Sequence, residues 1–264
     1  MRRFFTAVTV TMTIFLLITI FAPDFSFSES ENELFKNLDK VKLQTPPTAG
    51  DRSVLKDKII CIDPGHQRVG NKEQEPISPN SQNTKPKVAP GAKGVVSGVP
   101  EYVITLNIAE KLKGLLKDKK AVVVMTRKTH DVNISNVERA LVGNMIGGEI
   151  MVRIHADSSL DSLKRGVSVL IPSKKSINNP ILAAKSRKAG EIILKEVLEI
   201  TNADDLGIVE RDDLSGFNWS KIPVVLIETG FLSNPKDDKL LNSNSYQYKL
   251  AKGIYNGLIE YFRN

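Results

Sequence analysis

The chain has 264 residues, 41% hydrophobic and 25% charged, which is room for one substantial α/β domain, too little for two, and inconsistent with wholesale disorder. Its formal charge of +7 suits either an anionic surface such as a wall polymer or a membrane, or a solvated basic surface with no specific partner. The lysines are scattered and no aromatic-basic motif appears, which argues against nucleic acid as a partner. The single cysteine, Cys61, cannot close an internal bridge, so stability has to come from a packed core.

Met1-Arg2-Arg3 precedes the uncharged, mostly apolar run "FFTAVTVTMTIFLLITIFA", the layout of a secretory signal. The run is nearly long enough to span a bilayer and "SFSES" is a mediocre cleavage site, so residues 1–28 are read as a signal peptide or a retained membrane anchor. Either way the domain that follows is extracytoplasmic, secreted or membrane-anchored. Residues 29–57 are polar, with Pro46-Pro47, and read as a linker; residues 58–264 form the folded domain.

"KIICID" is the first buried strand, with Cys61 packing inside it as a small hydrophobe. Residues 67–100 hold Pro76, Pro79, Pro86, Pro90 and Pro100 and read as one long loop. Helical spacing then places Ile104, Ile108, Leu112, Leu115 and Leu116 on one face, with Glu101 near the helix start beside Pro100. "AVVVMTR" is a β-branched strand, and "SNVE" at 135–138 is a capping box opening a helix through Met145. "EIMVRIHAD" and "GVSVLIP" are further strands. Residues 180–200 form a helix whose expected core face is Ile181, Ala184, Ala189, Ile192, Ile193 and Leu198. "IPVVLIETG" is another buried strand, Asn234-Pro235 starts a helical stretch, and a last amphipathic helix runs through Ile254, Leu258 and Phe262. The expected fold is α/β: a single domain with a mostly parallel twisted sheet and helices on both faces.

Three buried strands end on a titratable group. "KIICID" runs into His66, "EIMVRIH" ends on His155 and "IPVVLIE" ends on Glu228, and the chain has only three histidines. Ligands bind at the carboxyl edge of parallel sheets. Two imidazoles there, with carboxylates nearby, are the ingredients of a catalytic zinc site, which takes three protein ligands and keeps one open position. Glu101, near the positive end of a helix, is the best placed third ligand. Asp63 competes; its other readings are a hydrogen bond to the Pro-Gly turn or a contact that orients His66. Glu228 is then left to act as general base, taking a proton from water and handing it to a leaving amine. Arg127 and Arg139 are expected to pair with carboxylates, His130 to lie on a surface loop, and Trp219 either to pack or to line the cleft.

"IDPGHQ", "SGVPEYVITLNIAEKL", "VVVMTR", "VRIHADSS" and "VVLIETGFLSN" occur in this order over roughly residues 58–262, and together they resemble the zinc-dependent N-acetylmuramoyl-L-alanine amidases of the type 3 family. The resemblance implies zinc held by His66, Glu101 and His155, with Glu228 as the catalytic residue, and it is what favours Glu101 over Asp63. It implies cleavage in peptidoglycan of the amide between N-acetylmuramic acid and the L-alanine of the stem peptide. Members commonly follow the first histidine with Gly-Gly and a short loop. Here Gln67 follows His66 and the segment before Glu101 is longer and proline-rich, which bears on substrate fit at the rim and on how firmly metal is held. No separate wall-binding module or repeat is visible, a layout similar to the sporulation and germination amidases that help make muramic-lactam in spore cortex. Growth-phase wall remodelling is the rival role. A zinc peptidase acting on the stem peptide and a non-catalytic wall-binding protein are the rival classes. Membrane association through the N-terminal segment and an accessory protein of unspecified kind are compatible with the reading.

Overall fold

Runs of β-branched residues bounded by Gly, Pro and Asp build the centre of the molecule, whose computed structural model describes residues 53–174 and 179–264. The expected signal or anchor at 1–28 and most of the expected linker lie outside the described residues. Leu55, near the end of that linker, is already fully buried in the core. Among the described residues, no helix is long and apolar enough to cross a membrane.

β1 (Ile59–Pro64), β4 (Val122–Met125), β5 (Ile150–Asp157) and β8 (Val224–Phe231) run parallel, and β6 (Val167–Pro172) and β7 (Asp205–Arg211) complete a six-stranded sheet of order β4-β1-β5-β8-β6-β7. β6 is antiparallel to β8 and parallel to β7. The sheet is therefore mostly parallel, as expected, with a reversed pair at one edge.

Alternation along each strand sends side chains to opposite faces. On one face Ile60, Ile62, Ile150, Val152, Ile154, Val225 and Ile227 join a core with α1 (Glu101–Lys117), α3 (Pro180–Thr201) and α6 (Asn244–Arg263). On the other, Asp63 meets Arg139 of α2 (Asn136–Met145). That second layer is completed by the single-turn α4 (Ser215–Asn218), and α5 (Pro235–Leu241) follows β8. Helices on both faces follow from these two sets. Burying the all-aliphatic face at about 25 cal/mol per Å² is the main stabilising contribution.

The capping signals behave as the sequence predicts. Ser135 Oγ accepts from the Glu138 N–H and the Glu138 carboxylate accepts from the Ser135 N–H, a complete capping box. Asn234 caps α5, whose first residue is Pro235.

Three expectations are corrected. The loop 67–100 contains an antiparallel hairpin, β2 (Asn71–Pro76) with β3 (Thr84–Val88). Its strands are polar on both faces, and only Glu75 and Val88 are buried, so no hydrophobic alternation announced it. β7 also went unanticipated, being an exposed edge strand interrupted by Gly207. In α3 the buried face is Leu182, Ala183, Ser186, Ala189, Ile193 and Val197, while Ile181 and Ala184 face outward. Small residues decide that phase: a Cβ on Gly190 would come within 2.9 Å of Ile171, so the helix lies too close to β6 for large side chains there.

Candidate metal centre

β1 leaves the sheet through Pro64-Gly65-His66. Gly65 N–H donates to Ile154 O at 2.9 Å, and a Cβ at Gly65 would sit 2.4–2.6 Å from the His155 ring. Only glycine lets the two ligand-bearing segments approach this closely. His66 adopts a left-handed φ of 59°, which few non-glycine residues do. Two buried arginines hold it there. Arg139 donates to Pro64 O (2.9 Å) and His66 O (3.0 Å), and Arg127 donates to Pro64 O and Gly65 O (both 2.9 Å).

His66 Nδ1 lies 2.9 Å from Ala89 O, which leaves Nε2 for the site. That Nε2 is 3.2 Å from Glu101 Oε2. Pro100 occupies the N-cap of α1 and Glu101 its first position, so the carboxylate lies at the positive end of the helix. Its Oε1 accepts from Ala156 N–H (3.0 Å) and lies 3.2 Å from His155 Nδ1, while its Oε2 accepts from Ala92 N–H (2.9 Å). One donor atom from each of His66, Glu101 and His155 lies within 4.8 Å of the others. The two imidazoles keep 15% and 12% side-chain exposure, so the cluster is reachable from solvent.

Burial would raise the Glu101 pKa, but the two histidines and their hydrogen bonds reverse this and hold it well below the usual carboxylate range. Burial pushes His155 down to about 4 despite Glu101. His66 is also penalised by burial, yet the Glu101 charge outweighs that and its pKa is raised. Glu228, paired in register with His155 across β5 and β8, is different. Its Oε2 is buried and has no hydrogen-bond partner, and burial, then the charges of Glu101 and Asp157, raise its pKa well above the ordinary value.

These residues fit a zinc ion. The donor set is two nitrogens and one carboxylate, the His155 Nε2 is a second buried atom without a partner, and two backbone N–H groups and a carbonyl fix the ligands from behind. Asp63, the rival ligand, is not part of the cluster. It is fully buried, and its oxygens are taken by Arg139 Nη1 (2.7 Å), Arg153 Nε (2.7 Å) and Thr126 Oγ1 (2.5 Å). Burial opposes its ionisation, but the two guanidiniums hold its pKa far below normal.

Arg139 thus pairs with a carboxylate as expected, whereas Arg127 serves main-chain carbonyls and Thr105 instead. Arg153 was overlooked, although a charge inside the apolar "IMVRI" run was its signal. His130 lies on a loop as expected, half-buried, with its ring edge-on to Tyr102 at 5.1 Å. Trp219 donates to Pro76 O at 3.0 Å and ties α4 to the hairpin. Cys61 is buried, and burial pushes its thiol pKa up.

A protein-family model described as N-acetylmuramoyl-L-alanine amidase matches residues 60–260. The chain belongs to this family. It is 30% identical over 250 residues to the probable N-acetylmuramoyl-L-alanine amidase AmiB of Haemophilus influenzae, covering 76% of this chain and 51% of that relative, so the chain spans about half of its length. The N-acetylmuramyl-L-alanine amidase Ami1 of Mycobacterium smegmatis shares the fold, with a TM-score of 0.72 at 24% identity, covering 79% of this chain and 98% of that one. The CwlD amidase of Clostridioides difficile, solved in complex with the GerS lipoprotein, aligns with a TM-score of 0.62 at 25% identity over 78% and 99% of the two chains.

Proposed function

We propose that the chain is a peptidoglycan hydrolase that cleaves the amide between N-acetylmuramic acid and the L-alanine of the stem peptide, with zinc held by His66, Glu101 and His155. The observation that carries the reading is Glu228, whose raised-pKa carboxyl keeps one buried oxygen without a partner, standing in register with one histidine of a three-donor cluster. Zinc, when bound, supplies Lewis acidity to the scissile carbonyl and to water. Glu228 takes the proton of the attacking water on its free oxygen. The same carboxyl returns that proton to the departing alanine nitrogen, a double duty suited to a raised pKa. Main-chain bonds hold Glu101 and His66 in place throughout, and His155 is oriented by its Nδ1 contact with Glu101.

Residues 1–28 act as signal or anchor and 29–57 as linker, which sets the domain outside the cytoplasm against the wall or spore cortex. The role is cortex maturation with muramic-lactam formation, or wall remodelling. The likeness to an amidase solved with a lipoprotein supports a membrane-side accessory protein as partner.

The test is mass spectrometry of muropeptides after digestion of peptidoglycan, with zinc content measured beside it. Free stem peptides beginning at L-alanine are expected from the wild type. Glu228→Gln should keep its zinc and lose about 10²–10⁴-fold in turnover, whereas His155→Ala should lose both. Products cut within the peptide, or full activity in Glu228→Gln, would sink the assignment.

A further inference from the structure

The sheet face that carries Glu228 extends beyond it to a pair of cations that the chemistry above does not use. Ser168 of β6 pairs with Glu228 of β8, while Leu170 and Pro172 of β6 pair with Val209 and Arg211 of β7. Because side chains alternate, Val209 and Arg211 stand on the same face as Glu228. Val209 is exposed, and the Arg211 side chain keeps 39% exposure. Arg211 Nε and Nη2 donate to Asp213 at 2.7 and 2.6 Å, and Lys85 Nζ, reaching across from the hairpin, donates to the main-chain oxygen of the same Asp213 at 2.9 Å. Two cations thus converge on one acid. Arg153, on this face too, is buried on Asp63 and cannot serve a ligand.

We propose that Arg211, with Lys85 beside it, binds a free carboxylate of the stem peptide and so orients the peptide arm of the substrate over the exposed edge strand β7 toward Glu228. The inference rests on the amidase reading and names a specificity residue for it.

The distance suits such a role. From Ser168 to Pro172 along the strand is about 13 Å, and crossing two strand spacings adds about 10 Å sideways, so the two backbones are about 16 Å apart. Both side chains close part of that gap. An extended peptide advances about 3.3 Å per residue, which brings the guanidinium level with a group two to four residues beyond the scissile bond. The stem peptide carries its free carboxylates beyond its first residue. The charge of Arg211 also acts on Glu228 and Asp157, which places it within electrostatic range of the reacting centre.

The pair with Asp213 does not block this. Asp213 is two residues away in sequence and its side chain is half exposed, and an exposed ion pair of this kind contributes little to stability. A planar guanidinium exchanges one carboxylate for another while keeping the two-pronged geometry. Lys85 keeps its hold on the Asp213 carbonyl during the exchange and leaves the patch positive.

The experiment compares two muropeptides that differ only in whether the stem-peptide carboxylates are free or amidated, with the zinc-loaded full chain. The wild type should show a KM about ten- to hundredfold lower for the free acid, with similar kcat. Arg211→Ala and Arg211→Gln should lose that preference and retain wild-type kcat on the amidated substrate, which also shows that they fold. Arg211→Glu should invert the preference. A wild type with no preference, a variant that keeps it, or equal losses on both substrates in all variants would overturn the proposal. Hydrolysis of neither substrate by the wild type would instead remove the amidase reading, and this inference with it.

Discussion

Replacing Asp63 with alanine should be among the most damaging single changes in the domain, although the side chain touches neither the cluster nor solvent. Among the described residues, Asp63 is the only carboxylate bonded to two buried guanidiniums, Arg139 and Arg153, which are 1% and 3% exposed. Taking one partner from a buried ion pair costs about 3–5 kcal/mol, because the survivor is left charged without a counterion. Here two survivors would face each other, which puts the cost at the upper end. At about 2–4 °C per kcal/mol for a domain of this size, the melting temperature should fall by roughly 10 °C or more. The assay is thermal unfolding of the chelator-treated protein, so that metal binding does not mask the change. The pH dependence gives a second reading. The folded-state pKa of Asp63 is depressed below an unfolded value near ~3.9. The unfolded chain therefore takes up the proton first, and the contribution is complete above that value and fades as the pH falls below it. The gap between wild type and Asp63→Ala should be wide at neutral pH and narrow in acid. A loss under about 3 °C, or a gap that widens in acid, would refute the account.

Two further outcomes are expected. Gly65→Ala drives a methyl group into the His155 ring, 2.4–2.6 Å away; zinc affinity, read by competition with a chelating dye, should fall about 10–100-fold, and an unchanged affinity would separate this turn from the metal. Ser135→Ala removes one half of the capping box and should lower stability by about 1 kcal/mol while leaving turnover intact, as denaturant titration beside the muropeptide assay would show.

The parts of the fold that could be read in advance are those where one physical signal dominates. β1, β5 and β8 are buried on both faces, so their sequences are continuous apolar runs, and a titratable residue at the end of such a run has few structural reasons to be there. That logic singled out His66, His155 and Glu228. Glu101 needed more, since a helix start gives only its charge preference, and the resemblance decided it over Asp63. The hairpin was hidden because its pairing is satisfied by main chain and by contacts such as Lys85 with Asp213 and Asn136 with Lys87, none of which leaves a periodic trace. Arg153 was hidden in a different way: its partners, Asp63 and Asn136, lie 90 and 17 residues away, and only their convergence explains a charge inside a strand.

The departures from the family pattern can now be given a physical meaning. Gln67 stands where glycine is usual, yet its side chain is fully buried. Its amide donates to Val69 O at 3.1 Å and its oxygen accepts from Ile134 N–H at 3.1 Å, with Arg139 nearby at 3.3 Å. It therefore braces the turn from inside and adds nothing to the rim. The longer segment behaves alike. Its hairpin is fastened at Trp219, Asn136 and Asp213, and the stretch that leaves it supplies Ala89 O to His66 and Ala92 N–H to Glu101. Gly91, at φ 81°, lies so near that a Cβ would come within 2.9 Å of the His66 ring and 3.1 Å of Glu101. Two of the three donors are thus held by main chain that the insertion itself delivers. An insertion that only decorated the rim could be shortened without consequence. This one sets the orientation of His66 and Glu101, so its length is tied to the geometry of the cluster rather than to the shape of the cleft alone.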